Sequence, residues 1–248
     1  MTERSSHRLL EAGVAKFTKL TRDSDPNWRR GAVEKLLDMT DYAMSGHIAS
    51  IIIAEKHPHV LALKGNSFFC DPPGYTTIAH AVSYHQEPAE LLYEKMPEYS
   101  ALRDSDGAPV LHWQVVASHR VAERVSESQK FLMVADKKGF TTAQVIVDWV
   151  LSDVRVEEYG GMWLKVFDKL VDASPEVLSM GNDCGGRDRS VAYGKLGYEL
   201  TIGQAIASYM HDSAPEPGER PEGFASALRR HIYILDEQTK ALLRTFPG

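Results

Sequence analysis

Cysteine is almost missing from this sequence. Cys70 and Cys184 are the two in 248 residues. They lie far apart and show no metal-ligand spacing, which speaks against a disulfide scaffold and for a reduced, cytoplasmic setting. Long hydrophobic runs are missing too. The longest is "IASIII", Ile48–Ile53, interrupted by a serine and far short of a membrane span, so no membrane partner is expected. "MTERSSHRLLEAG" at the start holds no extended apolar stretch, so no secretory signal is expected; delivery into a host cell by another route is compatible with this. Positive charge is not in excess: 28 Lys and Arg face 34 Asp and Glu, a net charge of −6. That balance is poor for gripping a phosphate backbone, which makes nucleic acid an unfavoured partner. What remains is 43% hydrophobic and 25% charged, the composition of a folded chain that is neither disordered nor fibrous.

Catalytic signatures are scarce as well. "CGGRDRS", Cys184–Ser190, has two glycines, a cysteine and two arginines, enough to cradle an anion. No strand precedes it and no Gly-Lys-Ser/Thr follows, so it is not a phosphate-binding loop and reads as a connector. Among the ten histidines, His57 and His59 share a turn in "HPH". His80 and His85 are five apart, which does not place them on one helix face. Exposed polar side chains fit them better than a metal, which needs three or four converging ligands. No Ser-His-Asp or Cys-His arrangement is legible. The expectation is no catalytic residue, no metal and no cofactor.

Regularity is what the sequence does have. Gly74, Gly107 and Gly139 each follow an Asp by three residues, in "DPPG", "DSDG" and "DKKG", at intervals of 33 and 32 residues. A second marker keeps phase with the first: "HPHVLALK", "MPEYSALR", "SQKFLMVA" and "SPEVLSMG" place apolar residues three apart, at Val60/Leu63, Tyr99/Leu102, Phe131/Val134 and Val177/Met180. A fixed period of roughly 20–50 residues marks a solenoid. In each unit Asp-x-x-Gly reads as a turn, in which Asp bonds its own backbone and Gly takes a positive φ at no steric cost. Thr76 and Thr141 follow as expected helix N-caps. Short apolar helices come next ("IAHAV", "LHWQVV", "AQVIVDWVL"), then a second helix ("PAELLYEKM", "AERVSESQKFL", "WLKVFDKLV"). Neither helix can bury its apolar face alone, so each must pack on a neighbour. Leu111 is expected in that core, and Trp113 with it.

The arrangement resembles the ankyrin repeat. "DSDGAPVLHWQVVASH" carries the match: Asp104, Gly107, Leu111, His112 and His119 fall on the family's Asp, Gly, Leu and two His positions, and "YAMSGHIASIIIAEKHP" keeps its Gly-His at Gly46 and His47. "GYTTIAHAV" and "GFTTAQVIV" keep Gly and Thr, with Thr77 and Thr142 where Pro is usual and Ala79 and Gln144 where His is usual. The expected fold is all-α, a helix-turn-helix repeat solenoid with atypical capping units. Residues 1–31 read as an N-terminal capping helix region, 32–180 as the ankyrin-like repeats, and 181–248 as an irregular last repeat and C-terminal cap. "GYELTIGQAI" in that last part echoes "GYTTIAHAV" with one residue inserted.

The resemblance implies a concave groove lined by the turns and by the outer ends of the first helices. Tyr75, Tyr84, Asp106, Lys137, Lys138, Phe140 and Trp149 are the candidate partner-binding residues. Tyr75 and Phe140 each follow a turn glycine and would share one row; Tyr84 and Trp149 would share a second. Phe68 and Phe69 read as a staple over the core or as an exposed patch. The expected function is a protein-binding adaptor or regulator that docks a partner protein on this face, as an inhibitor or effector of that partner. The alternative is an enzyme or regulatory module with a site in 154–211, formed around Cys184, Arg187 and Arg189.

Overall fold

Two of the turn glycines adopt the backbone that Asp-x-x-Gly requires. Gly107 has φ 76° and Gly139 φ 83° in the computed structural model, which describes residues 3–41, 43–67, 74–153, 160–181, 201–212 and 221–244. In each turn the Asp closes the loop with its own side chain. Asp104 Oδ1 accepts from Ala108 N–H at 2.8 Å; Asp136 Oδ1 accepts from Lys138 and Phe140 N–H at 2.8 and 2.9 Å. Asp71 lies outside the described residues.

The chain is mostly helical. The helices are α1 (Glu3–Leu20), α2 (Pro26–Asp41), α3 (Ala43–Lys56), α4 (Ile78–Val82), α5 (Gln86–Lys95), α6 (Val110–Ala117), α7 (His119–Ser126), α8 (Gln129–Leu132), α9 (Thr142–Asp153), α10 (Gly160–Ala173), α11 (Ile202–Asp212), α12 (Pro221–Arg230) and α13 (Glu237–Arg244). One antiparallel hairpin, β1 (Lys64–Ser67) with β2 (Gly74–Thr77), is the only sheet among the described residues. No helix among those residues is long and apolar enough to cross a membrane. Asp25 starts α2: its Oδ1 accepts from Asn27 N–H at 2.8 Å, and Pro26 takes the first helical position, where its missing N–H costs nothing. The expected boundary after residue 31 falls inside α2.

One hydrogen-bond frame is written four times. His57, Met96, Ser128 and Ser174 each offer a carbonyl to the residue three on: Val60, Tyr99, Phe131 and Val177. These in turn accept from Leu63, Leu102, Val134 and Met180 N–H. The carbonyls of those last four then accept from Ile78, Val110, Thr142 and Ile202 N–H, at 3.0, 2.9, 2.9 and 2.9 Å. The phased apolar pairs of the sequence are therefore the two ends of one tight turn. Beside it the chain pairs antiparallel at Lys64 and Thr77, Arg103 and Pro109, Ala135 and Thr141, and Gly181 and Thr201.

This register corrects one assignment. Thr77 stands where Pro109, Thr141 and Thr201 stand, so His80, not Ala79, occupies the place of His112, Gln144 and Gln204. The helix N-cap is Thr77 rather than Thr76; Thr76 is buried instead. Thr77 follows Gly74 by three residues, whereas Pro109 and Thr141 follow Gly107 and Gly139 by two, and counting from the glycine therefore slips by one. The echo of "GYTTIAHAV" in "GYELTIGQAI" holds, since Thr201 sits at the Thr77 position.

His80 shows what that position is for. It is 2% exposed, not an exposed polar residue as expected. Its Nδ1 lies 2.6 Å from Thr77 Oγ1, its Nε2 3.0 Å from the Ala108 carbonyl, and its own N–H donates to Thr77 Oγ1. The carbonyl can only accept, so Nε2 carries the proton and Nδ1 accepts from the threonine hydroxyl. Gln144 does the same work with an amide. Its Oε1 accepts from Thr141 N–H and its Nε2 donates to the Gly181 carbonyl at 2.5 Å.

Burial holds His80 below the ordinary histidine range, against the pull of the Ala108 carbonyl and Asp104. A folded pKa below the unfolded value of about 6.5 means that the fold needs the neutral ring. The His80 contribution is then complete above that pH and is lost as pH falls below it. His80→Gln is expected to flatten the loss of stability as pH falls below about 6.5, relative to the natural chain. Equal slopes in urea melts across that range would refute the assignment.

The chain divides into two compact units, Met1–Val121 and Ala122–Gly248. In the first, α1, α2 and α3 pack on one another, and Val14, Leu36, Leu37, Ile52 and Ile53 join Leu61, Ile78, Val82, Leu92 and Val110 in one core. Gly46 lets α3 approach α2: a Cβ there would fall on the Thr40 carbonyl oxygen, a backbone atom that cannot turn aside. In the second unit α9 packs on α10, and α11 on α12 and α13, burying Ile146, Phe167, Leu170, Leu178, Ile206, Phe224 and Leu228.

Candidate protein-binding face

Tyr84 is placed on the surface by the shortness of α4. That helix ends after Val82, its cap Ser83 is buried, and the chain must reach the start of α5 within a few residues. His85, in extended conformation (φ −104°, ψ 135°), is the N-cap of α5, and Pro88 follows within its first turn. The turn between the helices throws Tyr84 outward, 66% exposed.

Tyr84 is not isolated. Its ring lies 6.1 Å from Trp113 on α6 and 6.0 Å from His85; His85 in turn lies 5.8 Å from His47 on α3. Trp113, His85 and His47 are each partly exposed, so four rings form a connected row on the first unit. His85 Nε2 donates to the Thr40 carbonyl at 2.7 Å, satisfying an acceptor at the C-terminal end of α2 that has no partner within the helix. His47 Nε2 lies 3.2 Å from Glu87 Oε2. Burial raises the Asp41 carboxyl above its ordinary range; His85 pulls it down, and Asp38 nearby pushes it up. Glu90 accepts from Ser118 Oγ at 2.7 Å and from Gln86 Nε2 at 3.0 Å, with Arg120 3.5 Å away.

The other expected contact residues are distributed as follows. Tyr75 pairs through its backbone with Asn66 in the hairpin; its side chain lies outside the described residues. Asp106 is exposed in the Asp104–Gly107 turn. Lys137 and Lys138 are exposed in the equivalent turn of the second unit, with Phe140 half-buried beside them and Trp149 half-buried on α9. The two expected rows shift by one residue. From the hydrogen-bond register, Phe140 matches Thr76 rather than Tyr75, and Trp149 matches His85 rather than Tyr84. Phe68 and Phe69 lie outside the described residues, as do Cys184, Arg187 and Arg189.

Sequence reasoning placed Trp113 in the core. It is half-buried against Tyr84 instead, because the buried face of α6 is already formed by Leu111, Gln114 and Val115. "VLHWQVVA" is apolar nearly all round, so helical periodicity cannot say which side faces out. The pairing of His47 with His85 was not anticipated, and no local pattern signals it, since α3 and α5 bring it about. His57 and His59 lie edge to face, 6.2 Å apart. Among the described residues no group of three or more His, Cys, Asp or Glu is placed to hold a metal ion. No family model, curated protein or solved structure matches the chain.

Proposed function

We propose that the chain is a protein-binding adaptor or regulator built from ankyrin-like repeats, and that a partner protein docks on the face carrying Tyr84 and Trp113. The repeat reading is supported by the hydrogen-bond frame that recurs at Leu63, Leu102, Val134 and Met180. The docking reading is carried by one observation: a tyrosine with two thirds of its surface in water, held against a half-buried tryptophan on a well-packed frame. Such aromatic anchors supply much of the binding energy at interfaces, because they bury large area with few torsions to freeze. The exposed turn Lys137–Lys138, with Phe140 and Trp149 in the same unit, is a second contact element.

Affinity capture from the source cell, followed by titration of the captured protein, tests this. Tyr84→Ala is expected to weaken binding by about 1–3 kcal/mol, with helical content by circular dichroism unchanged. Unaltered affinity would remove Tyr84 from the interface. Reversing the charge of Lys137 and Lys138 is expected to slow association at low salt, the sign of an acidic patch facing that turn. A rate indifferent to the reversal would separate that turn from the partner.

A further inference from the structure

The ring row has a spacing and a charge, and together they describe the segment it takes. Successive centroids along Trp113, Tyr84, His85 and His47 stand 6.1, 6.0 and 5.8 Å apart. An extended chain rises about 3.3 Å per residue, so side chains on one face recur about every 6.6 Å, close to the ring interval. The border of the row is acidic. Asp38, Asp41 and Glu87 stand around the His85–His47 end, and Glu90 follows on α5. Among the described residues, two cations pair with these four carboxylates: Lys35 with Asp38 at 2.9 Å and Arg120 with Glu90 at 3.5 Å. Asp41 has His85 and Asp38 beside it, and Glu87 lies 3.2 Å from His47 Nε2. Aromatic faces attract cations over their centres, guanidinium above all.

We propose that this row binds an extended segment of a partner protein that carries Arg or Lys at alternate positions. The basic side chains at one end lie against Tyr84 and Trp113, and those at the other end meet Glu87 and Asp41. The proposal rests on the protein-docking reading above and adds the chemistry of the occupant.

The test uses the full chain and two fluorescein-labelled peptides, Arg-Gly-Arg-Gly-Arg-Gly-Arg and Glu-Gly-Glu-Gly-Glu-Gly-Glu, in anisotropy titrations at pH 8. The first is expected to bind saturably and the second not. Tyr84→Ala and Glu87→Gln should each weaken the basic peptide about tenfold, as loss of one anchor does. Glu98→Gln and Glu237→Gln, which remove the same charge elsewhere, should leave it unchanged. The indole N–H resonance of Trp113, assigned with Trp113→Phe, should shift during the titration. Equal affinity in all four variants, or a Trp113 resonance that does not move, would mean general attraction to an acidic protein and would overturn the proposal. If the basic peptide fails while Tyr84→Ala still abolishes capture of the native partner, the basic segment is wrong and the docking face stands.

Discussion

Phe167→Ala is expected to destabilise the second unit by about 3–5 kcal/mol, the loss seen when a buried aromatic is cut to a methyl. Phe167 has no exposed surface and is among the largest fully buried side chains of the described residues. It sits on α10 with its ring edge-on to Phe224 of α12, centroids 5.1 Å apart at 67°. Truncation therefore removes the transfer energy of the ring and the aromatic contact, and leaves a cavity between two helices. Partial collapse cannot close that cavity, because Leu170 and Val171 on α10 and Leu228 on α12 are themselves fully buried and held in place. Phe167→Leu should recover part of the loss by refilling volume. Denaturant melts followed by far-ultraviolet circular dichroism check both variants. A cost below about 1 kcal/mol for the alanine would show that Phe167 does not hold α10 to α12.

Leu111→Ala is expected to cost the first unit about 2–5 kcal/mol. Leu111 is 2% exposed on α6. In the recurring frame its position is held by Ala79, Ala143 and Gly203, so the backbone accepts a small residue there and no strain enters. The whole cost is the cavity and the lost burial. A cost at the low end would mean that neighbours on α5 close over the gap, as residues already pack over Ala79 and Ala143. A change under about 0.5 kcal/mol is that of a surface site and would place Leu111 outside the core.

Much of this was legible in the linear chain because the interactions are local. An Asp side chain closing its own turn, a glycine at positive φ, a proline opening a helix after Asp25, and a threonine capping the helix that follows all act within a few residues. The in-phase apolar pairs Val60/Leu63, Tyr99/Leu102, Phe131/Val134 and Val177/Met180 were visible for the same reason. Each pair is a single turn held by one backbone hydrogen bond. The mostly helical character follows from these local choices.

What the sequence left undecided depended on contacts between distant residues. Counting from glycine misread the first hairpin by one, because only the pairing of Lys64 with Thr77 shows where the extra residue is absorbed. His80 looked like a surface histidine because its second partner, the Ala108 carbonyl, lies in the next turn along. Trp113 looked like core because α6 is apolar on every side, and only its neighbours decide which side is covered. The ring row exists because α3, the turn after α4, and α6 each contribute one or two side chains to a common surface. The local chain set the turns and the helix starts. Packing between segments tens of residues apart set which of their side chains meet, and therefore where a partner can hold on.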